Sequence, residues 1–339
     1  MNKTILVTGG MGYIGSHTVV ELLNKGYEVV VIDNLSNSKI SVVGRVEEIT
    51  SKSFKFYELD LLDKPAVDEV FAENKIDAVI HFAGFKAVGE SVAEPLKYYH
   101  NNIVSTLNLL DVMQKFDCKN FVFSSSATVY GMNNPVPFIE YMPLSTTSPY
   151  GATKLMLENI LRDFQCANLS FNVSCLRYFN PVGAHESGII GEDPEGIPNN
   201  LMPYIGQVGS GKLKELSVFG GDYETADGTG VRDYIHVVDL ANGHILALEK
   251  LFKTQPSWEA YNIGSGKGSS VIELVKAYEK ALGKSIPYKV VARRQGDVAE
   301  MCADVTKAKK ELGFETVKMI EDICKDMVRW QSFVKDNNI

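Results

Sequence analysis

Histidine and cysteine are scarce and scattered in this chain, 6 and 5 among 339 residues, with no CxxC, HxH or HExxH. Such spacing supports neither a disulfide framework nor a compact zinc site, so no metal is expected. Cys118, Cys166, Cys175, Cys302 and Cys324 read as reduced thiols of a cytoplasmic protein, most simply as small core residues. Long apolar runs are also missing. The longest, such as VVVID and DAVIHFAG, are strand-sized and fall short of the roughly 18 residues that a spanning helix requires. MNKTILVTGG passes from a short apolar strand into glycines without a secretory h-region. The expectation is a soluble, cytoplasmic protein with no membrane partner. Basic residues are outnumbered, 34 Lys+Arg against 42 Asp+Glu for a net charge of −8. They form no stripe, which excludes long-range attraction to nucleic acid or an anionic bilayer. An anionic small molecule remains admissible where a few cations and helix termini converge. No internal repeat or low-complexity linker interrupts the chain, so its length and 45% apolar content point to two interleaved domains.

What is present is an alternation. TILVT (4–8) reads as a buried strand, residues 13–25 carry helical periodicity stopped by Gly26, and YEVVVI (27–32) is a second buried strand. The pattern continues through FKFYEL, a helix from Pro65 to about Asn74, AVIHF, a long helix from about Pro95 to Phe116 and NFVFSS. A helix then opens at Ser148-Pro149, followed by the strand LSFNVSCLRY. Strands apolar on both faces and separated by crossover helices make an α/β fold, a doubly wound parallel sheet covered on both sides. After Pro181 the chain turns rich in Gly, Pro and Asn without a βα period. It is expected to build a smaller mixed domain over 181–339, with some segments returning to the first domain of 1–180. Helices are predicted at 236–251, in SSVIELVKAYEKALG up to Gly283, and from about Thr316 to Phe333.

Gly9, Gly12 and Gly15 lie between the first strand and the first helix, where a tight turn brings a pyrophosphate onto a helix N-terminus. Their spacing, GxxGxxG, is looser than GxGxxG. Context supplies the specificity: Asp33 ends the second strand 18 residues after Gly15, where a carboxylate accepts both hydroxyls of an adenosine ribose and repels a 2′-phosphate. The pattern favours NAD over NADP. Further on, Tyr150 and Lys154 stand four residues apart at the start of a helix and share one face. An ammonium beside a phenol favours the phenolate, and a cationic nicotinamide ring favours it further. The pair makes an acid/base group operating below the free tyrosine pKa of about 10. Ser124, Ser125 and Ser126 supply a hydroxyl-rich strand end nearby.

The segments TGGMGYIGSH, DNLSNS, HFAGFKAVGES, SSSATVYG, SPYGATK, LRYFNPVGAH, IPNNLMPY and VRDYIHVVDLA together resemble the UDP-glucose 4-epimerase family of the extended short-chain dehydrogenase/reductase superfamily, over essentially the whole chain. The resemblance implies a Rossmann-like domain holding NAD tightly, a smaller domain for UDP-glucose and UDP-galactose, an isomerase role in galactose metabolism, and a homodimer built from N-domain helices. By matching motifs, the NAD site comprises Tyr13 and Ile14 in the glycine turn, and Asp33, Asn34, Leu35, Ser36, Asn37 and Ser38 at the ribose. Asp60 and Leu61 fall at the adenine, and Phe82, Ala83, Gly84, Phe85, Lys86 and Asn101 along the cofactor. Ser126, Tyr150, Lys154 and Phe179 complete it. The same resemblance places Ser126, Tyr150 and Asn180 at the hexose, and Asn200, Ser217, Val218, Phe219, Arg232, Arg294 and Asp297 around UDP, with Met301 beside the C2 substituent. Tyr150, Lys154 and Ser126 are then the catalytic residues. Related 4,6-dehydratases place Thr-Asp-Glu before the Val-Tyr pair, whereas here the positions hold Ser126, Ala127 and Thr128, without a carboxylate. A purely regulatory NAD-binding module needs the glycines but not Tyr150, Lys154 and Ser126 together.

Overall fold

The computed structural model describes residues 3–194, 198, 200–294 and 297–337. Its strands are β1 (Thr4–Thr8), β2 (Glu28–Asp33), β3 (Lys55–Glu58), β4 (Ala78–His81), β5 (Asn120–Ser126), β6 (Asn172–Tyr178), β7 (Asn180–Val182), β8 (Leu216–Phe219), β9 (Val231–His236), β10 (Trp258–Ile263), β11 (Gly268–Ser270), β12 (Tyr288–Val291) and β13 (Glu300–Met301). Seven of them form one all-parallel sheet in the order β10-β6-β5-β4-β1-β2-β3. The Rossmann-like architecture read from the sequence is present. Its central strands are apolar on both faces because helices cover both. One core lies under the Tyr13–Asn24 and Val237–Leu251 helices, the other under those at Lys64–Glu73, Ser105–Lys115 and Pro149–Ala167. The strand order reverses between β1 and β4, which opens a crevice at their carboxyl ends.

Residues after 181 contribute to two layers. The Val237–Leu251 helix and β10 return to the large sheet, β10 pairing with β6 from Trp258↔Val173 to Ile263↔Tyr178. The remainder builds a second core with β7, β9, β11 and β13 in one small sheet, β8 and β12 in another, and the Leu201–Gly209, Val271–Leu282 and Ile320–Asp336 helices. Two helix expectations need correction. The helix from Pro95 is broken at His100–Val104, where a π turn separates Pro95–Tyr99 from Ser105–Lys115. The final helix begins at Ile320 and not near Thr316, because Asp239 accepts the backbone N–H groups of Val317 (3.1 Å) and Lys318 (3.0 Å) and holds them outside the helix. Cys118, Cys175 and Cys324 are buried, while Cys166 is exposed and so is not a core thiol. No helix among the described residues is long and apolar enough to cross a membrane.

Candidate active site

The loops after β1 and β4 meet at the strand-order reversal. Gly9 has φ +67°, and a Cβ there would lie 2.7 Å from the backbone N of Ala83. At Gly15 a Cβ would come within 2.2 Å of the Gly9 carbonyl oxygen, so the first helix can start against the turn only without a side chain. Gly12 is the N-cap and offers no side-chain cap. The first-turn N–H groups at Tyr13 and Ile14 therefore face outward from the helix end, the arrangement that suits a pyrophosphate. Asp33, 8% exposed, ends β2 and does more than expected. Its Oδ2 accepts from Met11 N (2.9 Å), and its Oδ1 accepts from Leu35 N and Ser38 Oγ (both 2.9 Å), tying the glycine turn to the 34–38 loop. Asn34 donates to Asp60 Oδ2 at 2.9 Å, which unites the two ends assigned to adenosine; Ser36 and Asn37 are exposed beside them, and Leu61 is buried in the core. These residues fit a dinucleotide, with a glycine cradle, a helix N-terminus and a carboxylate at the end of the second strand.

The far wall is made by β5 and the Pro149–Ala167 helix. Ser148 caps that helix by accepting from Gly151 N (3.2 Å), and Pro149 fits its first turn. Tyr150 and Lys154 are both buried. Lys154 Nζ donates to the Ser124 carbonyl at 2.7 Å and lies 5.9 Å from the centre of the Tyr150 ring. Ser126 accepts from Thr128 N (3.2 Å) and Thr128 Oγ1 (3.0 Å) and turns toward Tyr150, whose pKa it lowers. Burial raises the Tyr150 pKa, opposed by Ser126. The expected lowering by Lys154 does not outweigh burial in the protein's own side chains. Lys154 is itself pushed down to about 8 by burial, with Glu158 opposing.

The two walls are joined by a residue that the spacing gave no reason to select. Asn102, buried in the π turn, accepts from Phe85 N at 2.8 Å and donates to the Phe85 carbonyl (3.1 Å) and Thr153 Oγ1 (3.2 Å). It thus fixes the Phe82–Lys86 loop against the helix of Tyr150. Asn101 donates to Asn102 at 3.0 Å, and Lys86 pairs with Glu192 at 3.1 Å. The π turn was the only available signal, visible only after folding. Tyr178 was also missed; its hydroxyl lies 2.5 Å from Ser124 Oγ. His17 and His81 are buried in the core, and burial lowers both to a pKa of about 3, neutral and unsuited to proton transfer.

The residues assigned to UDP are spread over the second domain. Asn180 opens β7 beside buried Phe179, and Asn200 donates to Glu192 Oε1 at 2.9 Å. Ser217, Val218 and Phe219 lie in β8, with the Arg294 guanidinium 4.0 Å above the Phe219 ring. Arg232 is ion-paired with Asp297, so one of the two arginines already has an internal anion. Met301 pairs in register with Arg232 and packs on the cluster containing Ala127, Phe138 and Phe179, which places it near the strand end of Ser126. In IPNNLMPY, Ile197 and Asn199 lie outside the described residues.

A Bacillus subtilis UDP-glucose 4-epimerase is 63% identical over 328 residues, covering 97% of this chain and 96% of the relative. The chain belongs to the UDP-glucose 4-epimerase family. The family model matching residues 6–327 is described as GDP-mannose 4,6 dehydratase. Among solved family structures, the Bifidobacterium longum epimerase in complex with NAD+ and UDP superposes with a TM-score of 0.94 at 53% identity, covering 98% of this chain and 99% of that one. The Stenotrophomonas maltophila epimerase with NAD and formylated UDP-arabinopyranose reaches 0.97 at 46% identity, covering 99% and 100%.

Proposed function

We propose that this chain interconverts UDP-glucose and UDP-galactose by inverting C4 through a transient 4-keto sugar, as an isomerase of galactose metabolism with NAD as cofactor. The observation that carries the reading is the Asn102 bridge, which sets the loop after β4, part of the cofactor cradle, against the helix bearing Tyr150 and Lys154. Bound in that cradle, NAD supplies the hydride acceptor and then the donor. Tyr150 takes and returns the C4 hydroxyl proton, and Ser126 holds that oxygen. Lys154 spends one of its three N–H donors on Ser124 and keeps the others for the cofactor ribose. Inversion requires UDP held firmly and hexose loosely, and the polar groups of the second domain serve the first need. Dehydratase chemistry requires a further acid and base; the strand end offers Ser126, Ala127 and Thr128, while Glu158 is committed to Arg177.

In this assignment residues 1–180 form the NAD domain and 181–339 mainly the UDP-sugar domain. The protein is a cytoplasmic homodimer that needs no metal. Exposed Val88, Val92, Leu96 and Met156 on N-domain helices supply the apolar face for self-association. Incubation with UDP-galactose in the presence of a chelator, followed by separation of the UDP-hexoses, should yield both epimers. Denaturation should release NAD or NADH near one per chain, and recovery of NADP instead would overturn the Asp33 assignment. Asp33→Ala should strip cofactor during purification. It should also loosen the 34–38 loop, because Met11 and Leu35 lose their acceptor.

Met301 sets a size limit at C2 of the sugar. UDP-glucose should be used much better than UDP-GlcNAc, and Met301→Cys should raise relative kcat/KM for the acetylated sugar by about 10-fold. Equal use of the two sugars by the unmodified enzyme would place the filter elsewhere.

A further inference from the structure

Three ionisable groups fall on one face of the Pro149–Ala167 helix at intervals of four residues: Tyr150, Lys154 and Glu158. The proposed chemistry uses the first two. Glu158 is fully buried, and like them it is tied to the end of β5. Lys154 holds the Ser124 carbonyl, Ser125 Oγ donates to Glu158 Oε1 at 2.6 Å, and Ser126 lies beside Tyr150. Two consecutive strand residues are thus bonded to two consecutive turns of the helix, and the next, Ser126, faces the third.

Arg177 of β6 closes the clamp. Its Nε donates to Glu158 Oε1 (3.0 Å) and Oε2 (3.3 Å), and its Nη2 donates to Oε2 at 2.6 Å. Nη1 donates to Tyr130 Oη (3.1 Å) and to the Glu140 carbonyl (2.8 Å), and Tyr130 donates on to Asn262 of β10 at 2.6 Å. One helix is therefore locked across β5, β6 and β10. A buried ion pair adds little net stability over an apolar pair of similar volume, because desolvation offsets the attraction. What it adds is direction: apolar packing lets a helix slide over a sheet, whereas a bidentate fork fixes both register and rotation.

Resting on the epimerase reading, we propose that Glu158, gripped by Arg177, is a positioning residue that holds the helix of Tyr150 and Lys154 in the register over β5 that brings Lys154 to the Ser124 carbonyl and Tyr150 beside Ser126. Its charge has a second consequence. The ionisable groups that face Lys154 are Tyr150 and Glu158 on its own helix and His81 from β4; Cys175 and Arg177 of β6 face Glu158, and Tyr178 and Tyr98 face Tyr150. His81 stays neutral, and burial keeps the Cys175 thiol and the Tyr178 phenol protonated. Glu158 is the anion in this set, and it favours the protonated lysine against burial.

Glu158→Gln should lower kcat by about 10- to 100-fold, the scale of a misplaced reacting group, and change KM for UDP-galactose by less than about two-fold. The alkaline limb of its pH profile should move to lower pH, since Lys154 gives up its proton more easily without the anion. Arg177→Lys keeps the charge and loses the fork, so kcat should fall with the limb unmoved. Glu158→Leu with Arg177→Met removes both charges together, strands neither, and should fold and retain NAD while losing kcat to a similar degree. A folded, NAD-retaining Glu158→Gln or double variant with unaltered kcat and pH limb overturns the proposal. A kcat loss that merely tracks loss of folded, NAD-bound protein overturns it too. Tyr150→Phe is measured alongside. Persistent turnover there defeats Tyr150 as the group that carries the proton, no interconversion of UDP-galactose by the unmodified protein defeats the epimerase reading, and an inactive Tyr150→Phe beside a fully active Glu158→Gln defeats only the positioning role.

Discussion

Tyr150→Phe should reduce turnover by about 100-fold or more while NAD content and UDP binding stay near their original levels. The substitution keeps the buried ring and removes only the hydroxyl beside Ser126. Folding should be unharmed, because no other residue draws a structural bond from that hydroxyl among those described. The effect belongs in kcat: UDP is assigned to Asn200, β8, Arg232 and Arg294 in the other domain, and none of these groups contacts the Tyr150 hydroxyl. Interconversion of UDP-galactose and UDP-glucose, measured with equilibrium binding of UDP, separates the two terms. Near-normal kcat would show that another group carries the proton.

Lys154→Met should cost a comparable factor, about 100-fold in kcat, and should also weaken retention of NAD. Methionine keeps an unbranched chain of similar length and removes the ammonium that donates to Ser124. Burial has pushed the Lys154 pKa down to about 8, so the folded protein already pays for the charge and loses little stability by giving it up. The sign of the pH effect follows. Lysine is charged below its pKa, and that pKa is lowered, so activity that depends on the ammonium is complete well below pH 8 and declines as pH rises through it. The kcat/KM profile of the unmodified enzyme should therefore show an alkaline limb near pH 8, absent from the residual activity of Lys154→Met. A limb that survives in the variant would have to belong to another group, and the proposed role of Lys154 would fall with it.

The βα alternation was legible because a two-sided sheet leaves apolar runs at strand length, and the glycines and Asp33 were legible because a turn and a strand end are local in sequence. Tyr150 and Lys154 were legible for the same reason, since four residues of helix place two side chains on one face. Glu158 was not, although it continues that spacing by another four residues. A lone Glu on a helix reads as solvated surface, and only Arg177, reaching it from the neighbouring strand, makes it a buried anion.

Sequence by itself therefore determined the parallel sheet, the glycine turn and the helical acid/base pair, each set by neighbours within a turn or a strand. Tertiary structure decided that β10 rejoins the large sheet beside β6, that Asn102 links Phe85 to Thr153 from 51 residues away, and that Arg232 spends its charge on Asp297 from 65 away. These pairings follow from strand order and crossover geometry, which bring distant residues together without leaving a periodic trace in the chain.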